Sequence, residues 1–173
     1  MILKSLKEKS VYKIIEEESG KKRTSSQGEG KFRSLAIIIN YDKLVDYRPL
    51  LNLANALDIP NESVHMLGYV EKAVKNVNYL IPVFSPKSIG VKGKVKDDAL
   101  EDFLKKDYDL LVNYYSDPVI EMMLVSALTR SDFKVGISDE HAILNDLILK
   151  VGEGNFRDFQ EELIKYLKIL KKL

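Results

Sequence analysis

Tyr108-Asp109-Leu110-Leu111-Val112-Asn113-Tyr114-Tyr115-Ser116-Asp117-Pro118, followed by the apolar run from Val119 to Leu128, decides the fold. Leu110–Val112 is an unbroken apolar core between polar flanks, the pattern of a strand buried on both faces. Asp117 is placed to cap a helix whose first position is Pro118, where a missing N–H costs nothing. The helix runs on through Val119, Met122, Met123, Val125 and Ala127. The same grammar occurs earlier, in Ala36-Ile37-Ile38-Ile39-Asn40-Tyr41-Asp42 and the apolar-periodic run from Tyr47 to Leu57. Two strands ending in aliphatics and Asn-Tyr, each followed by a helix ending in Ala-Leu, define an α/β domain.

The rest of the chain repeats this alternation. Strands are expected at Val64–Tyr69, Tyr79–Phe84, Phe133–Ile137 and Leu147–Val151. A short polar helix is expected over Val70–Val77, and another from Asp97 or Asp98 to Lys106. The closing helix runs from Phe156 to Leu170 after Asn155, with Phe156, Phe159, Leu163, Tyr166, Leu167 and Leu170 inward and Lys171-Lys172 at its negative end. Strands alternating with helices predict a Rossmann-like, mostly parallel sheet of about five or six strands with helices on both faces. Residues 2–18 form an additional amphipathic helix. The stretch 19–30 holds no apolar residue and reads as a connector. The expected division is therefore an N-terminal helix (1–18), a flexible basic linker (19–33) and a single α/β domain (34–173).

At 173 residues, 45% apolar and 31% charged, the chain has the composition of one soluble globular domain. With no cysteine, disulfides, thiolate zinc sites and a cysteine nucleophile are excluded. No apolar run reaches the roughly 18–20 residues of a membrane span. The lysine-interrupted N-terminus lacks the apolar core of a signal peptide, so a cytoplasmic location is expected. Net charge is +1 but uneven. Residues 1–33 carry nine Lys/Arg against five Glu, leaving +4; the remainder carries eighteen against twenty-one, leaving −3. An anionic partner is thus expected at the N-terminal arm, through Lys21, Lys22, Arg23, Lys31 and Arg33. A second lysine cluster, Lys87, Lys92, Lys94 and Lys96, lies in a glycine-containing loop with no interleaved aromatics.

In doubly wound sheets ligands bind outside the carboxyl ends of the strands, where strand order reverses. The two strands ending in Asn-Tyr are expected to flank that point. Asn40, Tyr41 and Asp42 with Asn113, Tyr114, Tyr115 and Ser116 form the ligand-binding candidates. The alternative is that Asn and Asp simply favour strand-to-helix turns and Tyr packs over strand ends. His65 reads as a packed strand residue, and His141, in Ser138-Asp139-Glu140-His141, has no nucleophile or second histidine beside it. Gly28-Glu29-Gly30 precedes a strand, and Gly152-Glu153-Gly154-Asn155 lacks a third glycine and carries a phosphate-repelling Glu. No catalytic residue, metal site or cofactor is assigned.

Asp107-Tyr108-Asp109-Leu110-Leu111-Val112-Asn113, Ser126-Ala127-Leu128 and Phe133-Lys134-Val135-Gly136-Ile137 resemble the latter part of the N-terminal domain of heptosyltransferase-like glycosyltransferases. Those enzymes bind the sugar nucleotide mainly through a second, C-terminal α/β domain, and no such domain is expected within these 173 residues. The resemblance therefore implies a fold and carries over no catalytic residue. More of the chain resembles a small uncharacterised bacterial family of single-domain α/β proteins, through the Phe133–Ile137 element and the Asn145-Asp146-Leu147-Ile148 and closing-helix elements. The function expected is a non-catalytic binding or accessory protein, contacting a protein or an RNA-containing assembly such as the ribosome through the basic arm. The alternative is a small enzyme, or the acceptor-binding half of a glycosyltransferase-like protein, using the strand-end residues.

Overall fold

The computed structural model describes residues 2–21, 30–44 and 46–173. Strands β1 (Leu35–Asn40), β2 (Val64–Tyr69), β3 (Val83–Phe84), β4 (Asp107–Tyr114), β5 (Arg130–Gly136) and β6 (Leu147–Ile148) form one parallel sheet in the spatial order 3-2-1-4-5-6. The two apolar runs are its centre: Ile37 pairs with Val112 and Leu35 with Leu110. Ile37–Ile39 and Leu110–Val112 are all 0% exposed. Strands buried on both faces need no polar alternation, which is why both runs are continuous. This is the Rossmann-like α/β fold, with six strands.

Period-two alternation divides the core between the faces. Ile37, Ile39, Leu110, Val112 and Tyr114 pack against helix α2 (Arg48–Ala56) and helix α5 (Phe156–Ile169) through Leu50, Leu53, Phe159, Leu163 and Leu167. Ala36, Ile38, Leu111 and Tyr115 pack against α1 (Ile2–Gly20), α3 (Asp98–Leu104) and α4 (Ile120–Leu128). α1 shares this second core, with Val11 2% and Ile15 4% exposed. Lys7 Nζ also donates to the Pro86 carbonyl at 3.3 Å and lies 3.9 Å from Glu121. Among the described residues no helix is long and apolar enough to cross a membrane.

Several elements differ locally from expectation. No helix forms at 70–77, where the chain runs irregularly, Asn76 has φ 66° and the Val70 N–H is taken by the Phe84 carbonyl at 2.9 Å. The third strand shrinks to Val83–Phe84 because Pro82 offers no N–H to a ladder. The sixth is Leu147–Ile148. Both are edge strands, and short edges blunt pairing with other chains. Asp117 does not cap α4, whose N-cap is Val119 with no side-chain bond; its carboxylate is engaged by Lys43 instead. Asn155 precedes α5 without a side-chain cap. On α5 Tyr166 and Leu170 are 37% and 46% exposed, so the inward stripe is Phe159, Leu163 and Leu167.

Candidate functional site

Strand order reverses between β1 and β4, so the loops leaving their carboxyl ends bound the position where this topology places ligands. The seven candidate residues divide there by face. Asn40, Asn113 and Tyr115 follow Ile38 and Leu111 onto the α3/α4 side, and Tyr41 and Tyr114 pack into the α2/α5 core. Asn113, 1% exposed, donates through Nδ2 to Ser126 Oγ and to Asn145 Oδ1, both at 2.8 Å. Its Oδ1 is buried without a hydrogen-bond partner, and the buried Tyr115 hydroxyl has only Ser126 beside it, outside ordinary hydrogen-bond geometry. Asn40 Oδ1 accepts from the Asp42 N–H at 3.2 Å, an Asx turn that ends β1.

Above the strand ends, side chains from four loops hold one another. Lys43, after β1, pairs with Asp117, after β4. That hydrogen bond holds the Lys43 ammonium above its ordinary value, and the charges of Asp117 and Glu153 add to it. Glu153 Oε1 accepts from the Ser116 N–H and from the Ser116 hydroxyl, both at 2.6 Å. The Tyr114 hydroxyl donates to the Glu153 carbonyl at 2.6 Å, and burial pushes its pKa up to about 12. Asp42 Oδ2 accepts from the Glu71 N–H at 2.7 Å. These ties cross the reversal point and join loops far apart in sequence.

The order 3-2-1-4-5-6 is that of dinucleotide-binding sheets, whose first turn needs glycines for the backbone to approach a pyrophosphate. Here the turn reads Tyr41-Asp42-Lys43-Leu44, with Asp46 following. Its aspartates repel phosphate. Beside it lies a concavity of about 460 Å³, lined by Tyr41, Asp42, Leu44, Tyr47, Arg48 and Leu80 among others. Tyr41 stacks tilted on Tyr47 at 5.9 Å and edge-on to Tyr79 at 5.6 Å between ring centroids. Of the seven candidates, Tyr41 and Asp42 line this hollow and the other five do not. Among the described residues no three His, Asp or Glu side chains converge as a metal site.

Of the five arm residues, Lys22 and Arg23 lie outside the described residues. Lys21 pairs with Glu18 at 2.5 Å, Lys31 with Asp58 at 3.0 Å and Arg33 with Asp109 at 3.8 Å. His65 lies half-buried, edge-on to Tyr108 at 5.7 Å. Burial and the nearby Lys106 lower its pKa. His141 is exposed, at φ 56°. Sequence reasoning missed Lys43, Asp117 and Glu153 as a linked set, because their partners lie 37 and 74 residues away. It also missed Lys134, 4% exposed, whose Nζ donates to the Ser126 carbonyl at 2.6 Å.

A family model described as "Family of unknown function (DUF6913)" matches residues 7–170. No curated protein and no solved structure matches the chain, so nothing beyond the local sequence pattern carries the glycosyltransferase resemblance.

Proposed function

The chain belongs to this family of unknown function, and from that premise we propose that it is a non-catalytic binding or accessory protein. Its partner is a protein or an RNA-containing assembly such as the ribosome, met through the basic segment 1–33 in the cytoplasm. One observation carries the reading: the carboxylates at the strand ends are spent on the protein itself, Glu153 on Ser116, Asp42 on the Glu71 N–H and Asp117 on Lys43. Acid–base or nucleophilic chemistry needs such a group aimed at a place for a reacting atom. Groups that brace loops against each other make a fixed surface instead. The exposed ion pairs of Lys21, Lys31 and Arg33 are no obstacle to an anionic partner, because exposed pairs stabilise by only about 0–1 kcal/mol.

A second reading, a small enzyme or an acceptor-binding module, is favoured by the tyrosine-lined concavity at Tyr41 and Asp42. Affinity purification from native lysate, with and without nuclease, separates the two. A partner lost on nuclease treatment identifies an RNA assembly, and one that survives identifies a protein. Recovery of the chain alone, together with a thermal shift on adding small sugars or sugar phosphates, overturns the binding reading in favour of the second.

A further inference from the structure

The loop of the second lysine cluster is a formed hairpin. Ile89 and Val95 make an antiparallel bridge, the Gly90 N–H donates to the Lys94 carbonyl at 2.7 Å, and the Lys96 N–H to the Ser88 carbonyl at 2.8 Å. At the tip Lys92 (φ 59°) and Gly93 (φ 72°) both adopt the left-handed conformation, the backbone handedness of a tight two-residue hairpin turn. Ile89, 3% exposed, anchors the base in the core beneath α1 and α4. The tip sits against α1: a Cβ built on Gly93 would lie 2.9 Å from Ile14 Cδ1. The start of α1 runs along the base of the hairpin, where Lys4, Val11, Pro86 and Ile89 line one narrow cleft of about 170 Å³.

Folding thus sets the second lysine cluster beside Lys4 of α1. Residues 85–96 contain four lysines and no Asp or Glu. Lys4, Lys87, Lys92, Lys94 and Lys96 are all exposed, and among the described residues none pairs with a carboxylate. Acids also border this face, and Glu8 lines the same cleft as Lys4. Asp97 accepts from the Leu100 N–H at 3.0 Å to cap α3, and Glu121 faces Lys7. By contrast Lys21, Lys31 and Arg33 of the arm are each ion-paired. The lysines without a carboxylate partner therefore stand mainly on the hairpin, with Lys4 at its base.

We propose that this face, Lys87, Lys92, Lys94 and Lys96 with Lys4, docks the phosphodiester backbone of a nucleic-acid duplex. The proposal rests on the binding reading above and commits it to one partner chemistry. Lysine is a point charge suited to phosphate, whereas base-edge reading favours the bidentate fork of arginine, and residues 85–96 contain none. Residues 86–96 also offer no aromatic ring for stacking unpaired bases, which directs the contact to the backbone of paired strands.

The test is fluorescence anisotropy of the full chain with a labelled RNA duplex and a labelled DNA duplex of arbitrary sequence. Each contacted phosphate contributes about −0.9 to the log–log salt slope on a B-form duplex. Four contacts predict that raising salt from about 50 to about 200 mM weakens binding about 100-fold. The fourfold Lys→Gln change at 87, 92, 94 and 96 is expected to abolish most of that dependence, while the fourfold Lys→Arg change retains it. If the Gln variant melts earlier than the unmodified chain, the pairs K87Q/K92Q and K94Q/K96Q are read separately, each expected to remove about half the slope. RNA and DNA arms distinguish the duplex. No duplex binding at the lower salt, unchanged binding by the Gln variants, or equal capture by polyglutamate or by anionic vesicles overturns the proposal. A nuclease-resistant protein partner without duplex binding overturns it while leaving the binding reading standing.

Discussion

Glu153 Oε1 accepts two hydrogen bonds from one residue, the N–H and the hydroxyl of Ser116, each at 2.6 Å. The loop after β6 is thereby fastened to the loop after β4, with β5 lying between those strands in the sheet. A carboxylate accepting from a backbone N–H and a hydroxyl together is a charge-assisted arrangement, stronger than a neutral pair. Glu153→Gln keeps the shape and gives up the charge, and Glu153→Ala gives up both. The expected losses in unfolding free energy are about 1 kcal/mol for Gln and about 2 kcal/mol for Ala, read by urea denaturation. Equal, near-zero losses would show that solvent competes the contact away.

The central strands set a larger effect. Ile38 and Leu111 are 0% exposed and face the same core. Truncation of either to Ala removes buried methyl groups and leaves a cavity, costing roughly 2–5 kcal/mol. A loss below about 1 kcal/mol at either position would contradict their burial.

α1 behaves as a covering helix in this geometry. Val11 and Ile15 face the core shared with Met122, Met123 and Leu124 of α4. Ile15→Ala is expected to destabilise by about 2–5 kcal/mol. Exposed Leu6→Ala, on a residue 58% open to solvent, should change stability by less than about 0.5 kcal/mol. Equal effects at the two positions would mean that the helix is not docked as described.

Much of this was written in local pattern. Ile37–Ile39 and Leu110–Val112 announce buried parallel strands because neither run alternates, and the spacing of Phe159, Leu163 and Leu167 gives the inward stripe of α5. The edge strands were harder. Val83–Phe84 and Leu147–Ile148 have lengths set by how far a neighbour can pair, and no residue type encodes that. The helix expected at 70–77 does not form, and Val74 and Val77 there are exposed, so no buried apolar face holds one together. At the strand ends the composition showed Asn and Tyr, but not that alternation sends Asn113 and Tyr114 to opposite faces. The Lys43–Asp117 pair spans 74 residues, and no local window contains it. Lys92-Gly93 did carry a signal, since Gly at a tight turn permits positive φ, but a turn reveals its tertiary neighbour only once α1 is in place.

Tyr114 and Tyr115 are adjacent, both buried, and differ in one respect. The Tyr114 hydroxyl donates to the Glu153 carbonyl at 2.6 Å, and the Tyr115 hydroxyl has only Ser126 beside it, outside ordinary hydrogen-bond geometry. Tyr114→Phe loses a hydrogen bond and strands a carbonyl, so it should cost about 1 kcal/mol; Tyr115→Phe relieves an unsatisfied polar group and should be neutral or stabilise by up to about 1 kcal/mol. Their pH behaviour should instead agree. Burial raises both phenol pKa values, that of Tyr114 to about 12, from an ordinary value of 10.0. Below about pH 10 both states keep the proton and neither tyrosine makes stability pH-dependent. Above it the unfolded chain releases a proton that the folded chain retains, so stability falls as pH rises from 10.0 through the folded value of about 12. The slope is at most about 1.4 kcal/mol per pH unit for each tyrosine. Denaturation at pH 8, where the first contrast is read, and across the alkaline range, where each Phe variant should flatten the fall, tests both halves. A Tyr115→Phe variant more than about 1 kcal/mol less stable at pH 8 would show that Ser126 or a buried water satisfies its hydroxyl.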